Sequence, residues 1–227
     1  MRVCRRSLVK QARAKYLSYG SGPIEGLKTG GIIWRMKYIP KFRKFGVYVV
    51  NPLDAQKERT DLSPEEYREL TDMLLKSGWY KEYVYLVGDL EEANLDYVEA
   101  VDFLIVFLPN SRLSIGTATE VRAAWKKKIP IFLVCPKQRF YNMSSSWYKR
   151  WLLLGGVRFD SFDDFLEFLS KNKRNLLREE LRNKFKRLQQ KQWKEERKKK
   201  MLPEMLALLE RAMKRSKNIR YSRRGSE

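Results

Sequence analysis

Asp102-Phe103-Leu104-Ile105-Val106-Phe107-Leu108 reads as a strand without a polar face. An unbroken apolar run opened by one carboxylate fits a strand buried on both sides, as in a parallel sheet covered by helices above and below. The flanks agree with this. Upstream, Gly88 to Ala100 reads as an acidic helix; downstream, Pro109 to Gly116 reads as a loop and Thr117 to Lys128 as a helix. Pro130 to Cys135 is then a second apolar strand, ended by Pro136.

The same alternation extends towards both ends. Ala14 to Tyr19 reads as a first strand running into the loop Gly20-Ser21-Gly22-Pro23, whose glycines let backbone approach a ligand closely. Ile32 to Phe45 reads as a helix with Trp34, Tyr38 and Phe42 on one face and a kink expected at Pro40. Val47 to Val50 is a short buried strand ending at the turn signal Asn51-Pro52. Ser63-Pro64-Glu65-Glu66 starts a helix, with Ser63 as N-cap, Pro64 at N1 and Glu66 closing a capping box; the helix runs towards Lys76 and Gly78 breaks it. Val157 to Asp160 forms a last short strand before a helix capped by Ser161, with Asp164 at N3. Strands alternating with helices predict a doubly wound (Rossmann/flavodoxin-like) parallel α/β sheet flanked by helices, with a basic C-terminal helical extension. Ligands of such sheets bind at the carboxyl ends of the strands. Gly20-Gly22, Asn51-Pro52 and Ser114-Ile115-Gly116-Thr117 should therefore converge on one face.

Composition narrows the chemistry. The 227 residues are 43% hydrophobic, enough for a core, and include no histidine, which removes Ser-His-Asp and Cys-His triads and His-based zinc sites. Cys4 and Cys135 are too few for a disulfide framework or a cysteine-rich metal site, and neither a metal nor a cofactor is expected. No apolar run approaches the roughly 20 residues of a membrane helix, and Met1 to Arg6 lacks the apolar core of a secretory signal. A cytoplasmic protein without a membrane partner is the expectation, in the host cytoplasm if phage-encoded.

The net charge of +21 is unevenly distributed. Residues 1–13 form a basic N-terminal arm, and the first fifteen residues carry +6; residues 16–170 carry +1 and residues 171–227 carry +14. The organisation read from this is arm, α/β domain at 14–170 and tail at 171–227. From Phe162 the helical signal persists to about Arg215, interrupted at Pro203, with Leu177, Leu181, Phe185 and Leu188 as a narrow apolar stripe. Such a tail either is a solvated helix or attracts nucleic acid or another polyanion by phosphate neutralisation. Lys184, Lys186, Arg187, Lys198, Lys199, Lys200, Arg223 and Arg224 are the candidate contacts.

Three features recur in order: Ser21-Gly22-Pro23-Ile24-Glu25 with Trp34-Arg35 and Asn51-Pro52; Asn94-Leu95-Asp96-Tyr97-Val98 leading to Asp102; and Gly116-Thr117-Ala118-Thr119-Glu120 followed by Ile129-Pro130-Ile131. In this order and spacing, residues 14–170 resemble the nucleoside 2-deoxyribosyltransferase family, especially its phage-type members. The resemblance implies cleavage or exchange of the N-glycosidic bond of a 2′-deoxynucleoside or its 5′-monophosphate, and assembly into a homo-oligomer. It makes Glu120 the nucleophile that forms a glycosyl-enzyme intermediate, and sets Asp102 near the sugar or orienting the site. By its chemistry alone, Glu120 would otherwise be a helix-start carboxylate and Asp102 a strand-end cap. Glu120 is expected in the first turn of its helix, where the N-terminus keeps it ionised.

Ser21, Gly22, Pro23, Asn51, Ser114, Gly116 and Thr117 are candidate substrate contacts, offering small side chains and amides to sugar hydroxyls or a 5′-phosphate. Arg35 is either a phosphate contact or a surface helix residue. Asn94 stands where the family has an aspartate that handles the base. An amide cannot protonate a purine nitrogen, so this position points to a different substrate or to a family member turned nucleic-acid-binding or structural protein through its tail.

Overall fold

The computed structural model describes residues 14–24, 31–109, 114–141 and 156–172, with positions 152, 176, 177, 183, 187 and 191. The chain divides into two compact units, 1–181 and 182–227. In the second unit the described positions Asn183, Arg187 and Lys191 are helical, the latter two exposed.

The first unit is an α/β fold. Strands β1 (Tyr16–Ser21), β2 (Val47–Val50), β3 (Phe103–Phe107), β4 (Ile131–Val134) and β5 (Gly156–Phe159) form one parallel sheet in the order β2-β1-β3-β4-β5. Its register sets Tyr19 beside Val50 on β2 and Ser21 beside Val106 on β3. The order reverses between β1 and β3, the crevice where doubly wound sheets bind ligands at their carboxyl ends.

Alternate residues of a strand face opposite sides. On one side, Phe103 and Phe132 pack edge to face, and Phe132 meets Phe165 and Phe168. This face is covered by α1 (Ile32–Arg43) and by the helix Phe162–Asn172, with Phe162 stacked on Trp34 at 5.4 Å and on Tyr38 at 4.2 Å between ring centroids. Aromatic burial of this kind contributes about 1 kcal/mol per ring pair beyond the area removed from water. On the opposite side, Tyr19 and Ser21 face α5 (Ile115–Lys126), which packs against α4 (Tyr80–Ala100). α2 (Pro52–Thr60), α3 (Pro64–Lys76), α6 (Lys137–Tyr141) and α7, the helix Phe162–Asn172, are further helices among the described residues.

Local signals and structure agree at the helix starts. The Ser63–Glu66 capping box is formed, Ser63 N–H donating to Glu66 Oε2 at 2.8 Å and Glu66 N–H to Ser63 Oγ at 3.2 Å. Ser161 and Asp164 make the equivalent exchange. Gly78 follows α3 with a positive φ of 76°. Other expectations are corrected. Asn51-Pro52 is a helix start rather than a turn: Asn51 Oδ1 accepts from Leu53 N–H at 3.3 Å and Pro52 occupies the first helical position, where its missing N–H costs nothing. α4 begins at Tyr80, eight residues before Gly88, because packing on α2 and α3 carries the helix through that glycine. α1 continues through Pro40, three residues from its end, where the proline removes only one of the last hydrogen bonds. α7 ends at Asn172 and Leu176–Leu177 form a turn, so no single helix runs from Phe162 to Arg215. Most of that expected helix, and the N-terminal arm, lie outside the described residues.

Candidate functional site

The site grows from β1. Gly20 and Ser21 are strand residues, not loop, and the period of two sets Leu17, Tyr19 and Ser21 on the α5 side. Tyr19 and Ser21 are both fully buried. The Tyr19 hydroxyl donates to Glu120 Oε1 at 2.8 Å, and the Ser21 hydroxyl donates to Glu120 Oε2. Each carboxylate oxygen thus holds one protein donor and retains a lone pair. Glu120 itself is half-buried. α5 starts at Ile115, so Glu120 is its sixth residue and lies in the second turn.

The first turn therefore does not keep Glu120 ionised. Burial pushes its carboxyl above the ordinary range, while the hydrogen bonds from Ser21 and Tyr19 and the charge of Arg35 pull it back. Tyr19 is pushed well above its ordinary value, first by burial and then by the Glu120 charge and hydrogen bond, so it remains a donor at neutral pH.

Arg35 is not a surface helix residue. It is 2% exposed, and its guanidinium donates to the Gly31 carbonyl at 3.0 Å and to the carbonyls of Gly20 and Gly22 at 3.3 Å each. Burial lowers it to about 10, which still leaves it charged at neutral pH. Gly22 is required where it is: a Cβ there would stand 2.8 Å from the Phe107 carbonyl oxygen, where the ends of β1 and β3 close on each other. Pro23 follows, also buried.

The remaining candidates divide. Asn51 closes β2 at the same edge of the sheet as Ser21, its side chain spent on capping α2. Ser114 precedes α5 without a side-chain capping bond, while Gly116 and Thr117 belong to the first turn of the helix rather than to a loop, Gly116 exposed and Thr117 buried. Asn94 lies on α4 between the buried Ala93 and Val98, and its Oδ1 is buried with no hydrogen-bond partner among the described residues.

Asp102 is at the other end of the sheet. Its Oδ2 accepts from Leu17 N–H at 2.9 Å and its own N–H donates to Leu17 O at 2.9 Å, the exchange of a strand-end cap. Leu17 precedes Ser21 by four residues, about 13 Å of strand at about 3.3 Å each. Of the two readings of Asp102, this geometry matches the strand-end cap. Of the basic candidates, Arg187 is helical and exposed; Lys184, Lys186, Lys198, Lys199, Lys200, Arg223 and Arg224 lie outside the described residues.

Tyr19 was not among the sequence candidates, although a period-two reading extended to Ser21 would have set both hydroxyls on one face. Cys135 is no rival nucleophile: burial pushes its thiol up to about 11. Among the described residues no cluster of three His, Cys, Asp or Glu side chains could hold a metal ion, and no helix is long and apolar enough to cross a membrane.

No family model matches the chain. No curated protein matches it in sequence. Among solved structures it is similar to a conserved protein from Enterococcus faecalis, at 14% identity over 70% of this chain and 99% of that one, with a TM-score of 0.45. It is also similar to a 2-deoxyribosyltransferase from Bacillus psychrosaccharolyticus, at 12% identity over 66% of this chain and 90% of that one, with a TM-score of 0.44.

Proposed function

We propose that this protein cleaves or exchanges the N-glycosidic bond of a 2′-deoxynucleoside or its 5′-monophosphate, with Glu120 as nucleophile. The observation that carries this reading is the carboxylate of Glu120 held on both oxygens by Tyr19 and Ser21, beside the reversal of strand order at the carboxyl ends of β1 and β3. Departure of a base from a deoxyribose builds positive charge at the anomeric carbon, which an adjacent carboxylate stabilises and then captures. In the first step the C–N bond breaks with its electron pair leaving on the base, and a Glu120 oxygen forms the new C–O bond. In the second step water or another base attacks the same carbon and the carboxylate leaves. The two donors fix the carboxylate's orientation before the substrate arrives, so little reorganisation is required during reaction.

Ser114, Gly116 and Thr117 at the start of α5 are the proposed contacts for the sugar or a 5′-phosphate, since the first amides of a helix have no acceptor within it. Asn94 replaces an acid with an amide, so the leaving base takes its proton from solvent or from substrate. The test is incubation with deoxynucleosides and deoxynucleotides, with free base followed by chromatography. Glu120→Gln abolishes base release while the fold survives; undiminished turnover by that variant removes the assignment.

A second reading rests on the charge of +14 in residues 171–227 and the exposed Arg187 and Lys191. In it the tail binds a polyanion such as nucleic acid, with affinity falling steeply with salt. Equal binding by the full chain and by a chain ending at 181 overturns it.

A further inference from the structure

We infer that Arg35 is a positioning residue that sets the Ser21 hydroxyl against Glu120; this rests on the reading of Glu120 as nucleophile. The geometry is a clamp. One guanidinium nitrogen of Arg35, Nη2, donates to the carbonyls of Gly20 and Gly22, the residues on either side of Ser21. The other, Nη1, holds the carbonyl of Gly31 at the start of α1. The last residues of β1 are thereby tied to the N-terminus of α1, and the Gly20–Ser21 and Gly22–Pro23 peptide units on either side of Ser21 lose the freedom to rotate. With its backbone held on the Arg35 side, the Ser21 side chain is directed to the other side of the strand, towards Glu120.

Several observations separate this from ordinary packing. Arg35 has no carboxylate within ion-pair distance among the described residues, and its Nε has no hydrogen-bond partner. A buried cation whose hydrogen bonds among the described residues all go to carbonyls is a costly choice for a helix residue whose sole task is to fill space. Its guanidinium lies 4.4 Å from the Trp34 ring centroid, and Gly31 takes a φ of +69° where a Cβ would stand 2.5 Å from Arg35 Nη1. Backbone and neighbours are shaped to admit this side chain. Only a planar fork reaches three carbonyls in this arrangement; a lysine ammonium keeps the charge but not the geometry.

The groups that bear on Glu120 are Tyr19 and Ser21 from β1 and Arg35 from α1; Tyr97 of α4 acts on Tyr19, and Asp54 of α2 acts on Arg35. Ser21 is the strongest of those that favour the carboxylate anion. Loosening the clamp therefore weakens that hydrogen bond and makes Glu120 easier to protonate.

The experiment is the pH profile of base release by the full chain for wild type, Arg35→Lys, Ser21→Ala and the double variant. Arg35→Lys is expected to move the acid limb of kcat/KM upward by about half a unit, and Ser21→Ala by about one. In the Ser21→Ala background Arg35→Lys moves it no further, the non-additivity of residues acting in series. A purely structural role for Arg35 would lower the yield of folded protein or the rate without moving the limb. Unmoved limbs in Arg35→Lys, or shifts that add in the double variant, overturn the inference. If wild type releases no base from any deoxynucleoside or deoxynucleotide, the proposed function fails instead. The clamp is then read from the titration of the Glu120 carboxyl by carbon-13 NMR, assigned with Glu120→Gln, under the same criteria. Arg35→Met removes charge and clamp together and shifts that titration further upward.

Discussion

Two carboxylates flank β1, and they are put to different use. Asp102 meets Leu17 at the start of the strand and exchanges backbone hydrogen bonds with it. Glu120 meets Tyr19 and Ser21 at the other end and, among the described residues, is bound by their side-chain hydroxyls. A carboxylate satisfied by a main-chain amide ties two strands together and has little scope for chemistry. One held by hydroxyls, in surroundings that raise its pKa, keeps lone pairs available and a protonation state that the neighbours set. The Asp102–Phe103 junction and the Glu120 helix look comparable as sequence, each an acid beside apolar residues. The partner each side chain finds at its end of the sheet makes the difference.

The largest effect expected is on Glu120. Replacement by glutamine keeps a group that can pair with both hydroxyls but cannot form the glycosyl bond, so base release falls by at least about a thousandfold. Circular dichroism and the melting temperature check that the fold persists. If an Asp102 variant shows that loss instead, the roles of the two ends are reversed.

Tyr19→Phe removes one of the two donors to Glu120. A decrease of about tenfold to a hundredfold in kcat/KM is expected, with less effect on KM than on kcat. The acid limb also shifts. As the proposed nucleophile Glu120 must be ionised, and its pKa is already raised by burial; losing a hydrogen bond that opposes this raises it further, so activity is expected to be lost at a higher pH than in wild type. A pH–rate profile read on folded protein separates this from simple destabilisation.

Asp102→Ala sharpens the other side of the comparison. Loss of the strand-end cap leaves Leu17 N–H without its acceptor and costs about 1–2 kcal/mol of stability by denaturant titration. Activity per folded molecule stays within about threefold of wild type.

The smallest effect expected is a stability difference at Glu120 itself. Its folded pKa lies above its unfolded one, so the stability linked to its protonation is fully present below the unfolded value and is lost as pH rises through the folded value. Glu120→Gln is therefore expected to melt slightly above wild type at neutral pH, with the gap closing in acid. A wild type more stable than the variant at neutral pH contradicts the burial argument.

Much of this was legible before any coordinates. The apolar run at β3 and its repetition at β4 announced a parallel sheet, because only strands covered on both faces lack polar positions. The capping box at Ser63 and the Ser161–Asp164 pair announced their helices, since those bonds are satisfied within four residues. Asn51-Pro52 was ambiguous because the same dipeptide ends a strand and begins a helix, and the choice lay in whether the residues after it packed. Gly88 reads as a helix start and is an interior residue, because tertiary contacts outweigh a propensity penalty of about 1 kcal/mol for glycine.

The site shows the same division. Glu120, Ser21 and Gly22 are singled out in the sequence by the motifs that carry the family resemblance, and the structure brings Ser21 to Glu120. Tyr19 and the clamp of Arg35 are not singled out, since a hydroxyl 101 residues from its acceptor and a guanidinium bound to carbonyls leave no mark on local pattern. Asp102 reads from sequence as the opening residue of its strand, and the cap it forms there with Leu17 is one of the two readings open to it.

The sequence by itself determined the alternation of elements, the caps that start its helices, the absence of histidine chemistry and the cationic ends. These depend on interactions between residues close in the chain, or on totals that no fold can alter. Only the tertiary structure decided which acid is held by side-chain hydroxyls and which by a main-chain amide. That choice depends on strand order and register, which bring Tyr19 and Ser21 to Glu120 across a hundred residues and leave Asp102 beside Leu17.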